Sequence, residues 1–475
     1  MAEVAAGALV AEQIVATSVE VAAVAAIAAP TQPLKVSLTQ LANVTDESFS
    51  CRNQELGRSH HTLTVIGDKA YIFGGEDPRS RGLCSPNVHV ITLPTRDPKV
   101  PADVKHLSYE PFPVLDEKTG ETYIPAPRTK HAACARGKYL IIHGGQDHLG
   151  HPIEEDNCLW LWDTEALRWS RLRGDTQIGK IMAARYDHHI FVDPSQDFLI
   201  LHGGQSKLHS KPDASTAGIS VSLTLPHIDT TAETWHYDFN SHAWTALPSC
   251  PSPSTTAAYV ASSSTLYTIA RTALAPGSPA LSGTIHSIAL HSSPTEREKP
   301  SALTWQTHEF PINPLTPGPS PREGAALVPL TAGHGRTYLL YMFGSSPAPI
   351  PDPKTRAPST PQHEPVYYSD VWALQLPSGK HSAAAAKDVI CEKLPGMQGP
   401  GTLQWAEAEI VPTEKMLQTG GKVHPGPRVL FSGYDACFGG EAVVFWGGMN
   451  AKHETEADGW VVALADGYAD NDRYE

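Results

Sequence analysis

The chain has 475 residues, with 41 Pro, 37 Gly, 18% charged and 41% hydrophobic residues, a balance that excludes collagen, coiled coil and wholesale disorder. Its 36 basic and 50 acidic residues leave a net charge of −14, so nonspecific binding to nucleic acid or to an anionic membrane has no electrostatic support. Length alone allows about three average domains or one large all-β fold.

Residues 4–29 are rich in Ala and Val, but they follow Glu3 and include Glu12, Gln13 and Glu20, with no basic stretch ahead. That pattern argues against a secretory leader and against a membrane span. Residues 1–30 read as an Ala-rich helix stopped by Pro30. The seven cysteines stand singly, without a CxxC pair, as expected for reduced thiols in a cytoplasmic protein. Residues 34–41 then alternate apolar and polar side chains and predict a strand with no nearby partner.

A hairpin unit follows and repeats. It opens at Arg58, passes through two apolar runs separated by Gly67-Asp68, and ends at Gly74-Gly75. The same unit runs from Arg128 to Gly144-Gly145 and from Arg185 to Gly203-Gly204, with weaker copies over residues 254–271, 322–345 and 431–448. Each hairpin precedes a third strand, predicted at 87–93, 157–163, 234–239, 284–290, 370–376 and 459–464. Fourth strands, often marked by an aromatic residue, are predicted at 107–112, 168–172, 243–247, 303–310 and 404–410. The sixth unit is one strand short, and the unassigned strand at 34–41 supplies it. A ring closed in this way leaves no open sheet edge.

The paired glycines, the preceding Arg and the downstream Trp or Tyr resemble the Kelch repeat family over residues 34–465, and in layout its stand-alone fungal-type members. The resemblance implies an all-β, six-bladed propeller spanning 31–465, with 34–41 closing blade six and an acidic tail at 466–475. Most tryptophans are then expected in the core, where large rings fill space between twisted sheets.

Aligning the hairpins places Ser59, Thr129, Tyr186, Thr255, Glu323 and Ser432 one residue after the Arg position. His60, Lys130, Asp187, Thr256, Gly324 and Gly433 come next, and Glu76, Gln146 and Gln205 follow the glycine pairs. These polar groups gather at one mouth if the ring closes, on the face where most of the long insertions also fall. They offer an acid and a base for a polar ligand. Asp187 and Glu323 are the expected acid or base, with Lys130 and His60 as electrostatic partners or proton donors. Tyr186, Gln146, Gln205, Glu76, Ser59, Thr129, Ser432, Arg58 and Arg128 are candidate substrate-binding groups.

The arginines of the repeat are also natural blade-to-blade hydrogen-bond partners, and His61, His131 and His188 share a register that a repeat copies for structural reasons. No metal site and no cofactor are expected, since the chain carries no P-loop, no strand-following GxGxxG, no HExxH and no GxSxG. Two functions remain open. One is a cofactor-independent acid–base enzyme, an isomerase, cyclase or rearrangement catalyst, acting on a small molecule. The other is a platform that grips a protein or peptide partner on the same face.

Overall fold

The computed structural model describes residues 34–41, 55–77, 82–93, 105–115, 120, 122–176, 182–207, 228–272, 282–290, 303–311, 318–332, 335–346, 365–378, 403–412, 422–430 and 432–465. The expected helix at 1–30 and the acidic tail at 466–475 lie outside them, as do most residues of the long insertions. Among the described residues no helix is long and apolar enough to cross a membrane. The thiols of Cys84, Cys134, Cys158, Cys250 and Cys437 are free.

Six antiparallel four-stranded blades follow one another. Blade one comprises Thr62–Ile66, Lys69–Phe73, Val88–Thr92 and His106–Tyr109. Blade two comprises Ala132–Arg136, Tyr139–His143, Leu159–Asp163 and Arg168–Leu172. Blade three has His189–Val192, Phe198–His202, Thr234–Asp238 and Ala243–Leu247. Blade four has Ser254–Val260, Thr265–Thr272, Ser282–Ala289 and Gln306–Glu309. Blade five has Ala326–Thr331, Thr337–Met342, Val371–Gln375 and Gln404–Glu407. Blade six takes Tyr434–Cys437, Ala442–Trp446 and Gly459–Leu464 from the end of the chain, and its outermost strand, Lys35–Gln40, from the beginning.

That amino-terminal strand pairs antiparallel with the last one, Val36 opposite Leu464 and Gln40 opposite Trp460. Val36 and Leu38 are buried with Val443, Phe445, Trp460 and Val462, so apolar burial accompanies the hydrogen bonds that close the ring. The predicted strand at 404–410 is divided. Its last part, Glu409–Ile410, leaves blade five and runs parallel to the closing strand. A segment after blade two, Asp175–Thr176, does the same along the outer strand of blade three.

Neighbouring blades pack through a repeated wedge. Gly74 and Gly144 have φ of +61°, a region that side chains disfavour, and they have no room for one. A Cβ on Gly74 would stand 2.5 Å from the Arg128 carbonyl oxygen and 2.7 Å from the His131 ring; on Gly144 it would meet the Arg185 carbonyl at 2.5 Å and His188 at 2.8 Å. His131 and His188 are almost fully buried, filling the space that the glycines leave. His131 Nε2 lies 2.8 Å from Thr62 Oγ1 and His188 Nε2 lies 2.9 Å from His143 Nδ1, so the shared histidine register belongs to blade packing. Among the described residues no group of three or more His, Cys, Asp or Glu side chains is placed to hold a metal ion.

Candidate functional site

The arginines fix where each inner strand begins. Arg128 is completely buried; its Nη1 donates to the Gly144 carbonyl at 3.0 Å and its guanidinium pairs with Glu155 at 2.8 Å. Glu155 also accepts the Trp160 indole N–H at 3.1 Å. The same trio recurs as Arg185, Glu233 and Trp235, as Arg322, Asp370 and Trp372, and as Arg428, Asp458 and Trp460. In blade one His89 stands in for the tryptophan, its Nε2 3.0 Å from Arg58 Nη2, while Arg58 Nη1 donates to Gly74 O at 2.8 Å. Arg58 and Arg128, candidates for substrate binding in the sequence, are therefore spent on the chain's own carbonyls.

Blade six has its arginine too. Arg428 pairs in register with Asn450, as Arg185 does with Ser206, which makes Val429, and not Ser432, the residue after the Arg position. The offset of three residues hid it, although Asp458 and Trp460 repeat the downstream pattern.

The next position aims side chains at the mouth. His60, Lys130 and Asp187 have φ of 53°, 55° and 53°, and Gly324 of blade five has 61°. Left-handed backbone is uncommon for residues other than glycine and costs about 1 kcal/mol or more at each. Interblade hydrogen bonds hold it: Lys130 N donates to His60 O at 3.0 Å and Asp187 N to Lys130 O at 2.8 Å. At this turn the strand's alternation breaks.

A cavity of about 480 Å³ lies there, lined by His60, Lys130, Asp187, Glu323, Gln205 and Ser432 together with His189, Thr230, Thr255 and Thr256. All four residues expected to carry acid–base chemistry thus share one cavity, with Gln205 and Ser432 beside them. Ser59, Thr129 and Tyr186 are buried in the surrounding wall. Glu76 bridges wall and mouth, accepting from Thr129 Oγ1 at 3.0 Å with its Oε1 3.9 Å from His60 Nδ1. Gln146 donates to Gly150 O of its own loop at 3.1 Å and also hydrogen-bonds the Tyr186 side chain.

Water reaches Asp187 through the mouth, yet protein crowds it closely enough that burial is the main influence on its proton. Burial pushes its carboxyl up to about 6, Lys130 opposes, and Glu76 and Glu323 add to the rise. His60 is driven down to about 3 by burial and then by Lys130, and His189 to about 4 by burial. Both rings are neutral at pH 7, so Lys130 is the cation among the described lining residues. Its Nζ lies 5.6 Å from the centre of the Tyr186 ring, within reach of a cation–π attraction.

Beneath the mouth, a second cavity of about 350 Å³ follows the axis between the inner strands. His189 and Ser432 line both cavities. Asp435 lies in the wall of the lower one, with its Oδ2 accepting from Val65 N at 2.9 Å and its Oδ1 from Ala436 N at 2.8 Å. Burial pushes this carboxyl to about 6 as well. Asp435 was not singled out in the sequence, since one acid in a weak repeat copy carries no signal of its own.

Residues 57–270 match the family model described as the KLHDC2/KLHL20/DRC7 Kelch-repeats domain. The chain is 28% identical over 153 residues to Acyl-CoA-binding domain-containing protein 5 of Arabidopsis thaliana; the alignment takes in 32% of this chain and 19% of that protein, about a fifth of its length. The solved structure of YjhT is similar with a TM-score of 0.48 at 14% identity, covering 86% of this chain and 96% of that one. The matched segment takes in the first four hairpins, and the described blades beyond it complete a closed ring of six, so the chain is a six-bladed β-propeller whose residues 57–270 are Kelch repeats.

Proposed function

We propose that the mouth cavity binds a small polar organic molecule and acts on it by acid–base chemistry without a cofactor, as an isomerase, cyclase or rearrangement catalyst does. The observation that carries this reading is Asp187, a carboxyl pushed up to about 6 in a cavity that also holds Lys130, His60 and Glu323. A group that titrates near neutrality has both its acid and base forms available at working pH. Asp187 moves the proton in this account, Lys130 stabilises negative charge developing on the ligand, and neutral His60 orients it by hydrogen bonding. Glu323, from the far side of the ring, is the second acid or base.

The test follows isomeric products by mass spectrometry after incubating the protein with pooled polar metabolites. Asp187→Asn is expected to lower turnover of the converted compound at least about 100-fold, and Glu323→Gln to lower it as well, with melting temperatures unchanged. Unchanged turnover in both folded variants would remove the catalytic assignment.

The second reading is a non-catalytic platform for a protein or peptide. It is favoured by the openness of Asp187 and Glu323 to water at the mouth. A ligand that binds through this mouth and is recovered unaltered from wild-type protein selects it.

A further inference from the structure

We infer that the ligand of the mouth is amphiphilic, with a primary ammonium head among Asp187, Glu323 and Glu76 and an unbranched apolar tail running down the axial cavity. The inference rests on the mouth being a ligand site, and it adds the ligand's chemical class.

The two cavities are adjacent: His189 and Ser432 belong to both walls, so the axial space lies next to a molecule seated at the mouth. The character of the lining changes at that junction. Above it stand carboxylates from blades three and five, with Glu76 of blade one close enough to raise the Asp187 proton affinity, against Lys130, the one cation among the described lining residues. Below it the inner strands contribute Leu63 and Val65, Ile190, Phe191 and Val192, and Leu327 and Val328.

Width comes from alanines on alternate blades. Ala133 and Ala135 of blade two, Ala257 and Ala258 of blade four and Ala436 of blade six all line the axial cavity. One wall is aromatic: the His189 and Phe191 rings stack 6.3 Å apart at 10°, and Phe191 lies 6.3 Å from Tyr259. The lower cavity's carboxyl, Asp435, has an N–H donor on each oxygen, so its hydrogen bonding is met within the inner strands. A mostly apolar space of this size beside a polar, net acidic rim fits a hydrocarbon chain led by a cation, since burial of each methylene adds affinity and the rim complements the head.

The experiment is calorimetric titration of the full chain with n-alkylammonium salts from ethyl to decyl, and with n-alkanoates of equal length. Affinity for the ammonium series is expected to rise about fourfold per methylene and then level off once the axial cavity is filled, with the alkanoates at least tenfold weaker. Ala135→Leu, which narrows the lower cavity, is expected to shorten the chain length at which affinity levels off and to leave ethylammonium binding unchanged; its melting temperature reports folding. Should that variant unfold, competition between octylammonium and a neutral octyl alcohol on wild-type protein reads the same tail site. Binding of the short ammoniums that does not tighten with length overturns the tail assignment while leaving the mouth as a site. Length-dependent binding that survives Asp187→Asn with Glu323→Gln, or that is equal for alkanoates, overturns the ammonium head. No binding of any member to wild-type protein overturns the inference, whereas the mouth reading fails separately, on the turnover of its own variants.

Discussion

The interface between blades two and three and that between blades three and four solve one packing problem differently. At the first, Arg185 and His188 of blade three press against Gly144, where a Cβ would stand 2.5 Å from a carbonyl. At the second, blade four has neither side chain; Ser254 takes the place of the histidine and bonds His202 of blade three at 3.0 Å. A Cβ on Gly203 would meet nothing nearer than Ser254 Oγ at 3.3 Å. Blade four also has the long inner pair Ser254–Val260 and Thr265–Thr272. The glycine of a Kelch hairpin is thus required by its neighbour's Arg and His, and where those are missing the requirement relaxes.

Substitutions break or sharpen this contrast. Gly144→Ala is expected to have the largest effect: a clash with backbone added to a left-handed φ should cost more than about 3 kcal/mol and yield little folded protein. Arg128→Ala should cost about 3 kcal/mol in urea unfolding, because it leaves the half-buried Glu155 and the buried Gly144 carbonyl without their partner. Gly203→Ala retains only the backbone penalty at φ +71° and is expected to cost about 1 kcal/mol. Equal losses for Gly144→Ala and Gly203→Ala would contradict the proposed cause.

Acid tests the histidine wedges. Ten buried or half-buried histidines, among them His61, His131, His143, His188 and His202, hold their protons less tightly than an ordinary imidazole, chiefly through burial. The unfolded chain takes up protons near 6.5 and the native one only well below that, so their contribution is full above 6.5 and is lost as pH falls. Asp187 and Asp435, pushed up to about 6, act in the opposite sense, their contribution being present at low pH and lost as pH rises through 6. With ten groups against two, the urea midpoint at pH 5 should lie below that at pH 7.5; a higher midpoint at pH 5 would contradict the packing role of the histidines.

The ring and its closure were legible because each hairpin copies one pattern and the count left a single strand at 34–41 without a home. Blade six's arginine was not, since Arg428 precedes Gly447 by 19 residues where the first hairpins use 16. The mouth was legible in part. Register identified the positions that approach the axis, and His60, Lys130, Asp187 and Glu323 do share a cavity. Register did not tell which of two adjacent positions faces it, because the left-handed turn breaks the period of two that strand reading assumes. Ser59, Thr129 and Tyr186 consequently lie in the wall, and Gly324, the glycine at the turning position, was the one sequence signal of that break. The axial cavity had no signature at all, being the joint product of alanines from separate repeats.

The proton on Asp187 tests the central claim most directly. Carbon-detected NMR of the labelled carboxyl across pH 3 to 8 is predicted to give a midpoint of about 6, moving higher in Lys130→Met as the opposing cation is removed. A midpoint near 4, the ordinary aspartate value, unmoved by Lys130→Met, would mean that Asp187 feels neither the crowding of the mouth nor Lys130 and that the proposed chemistry has no proton to move.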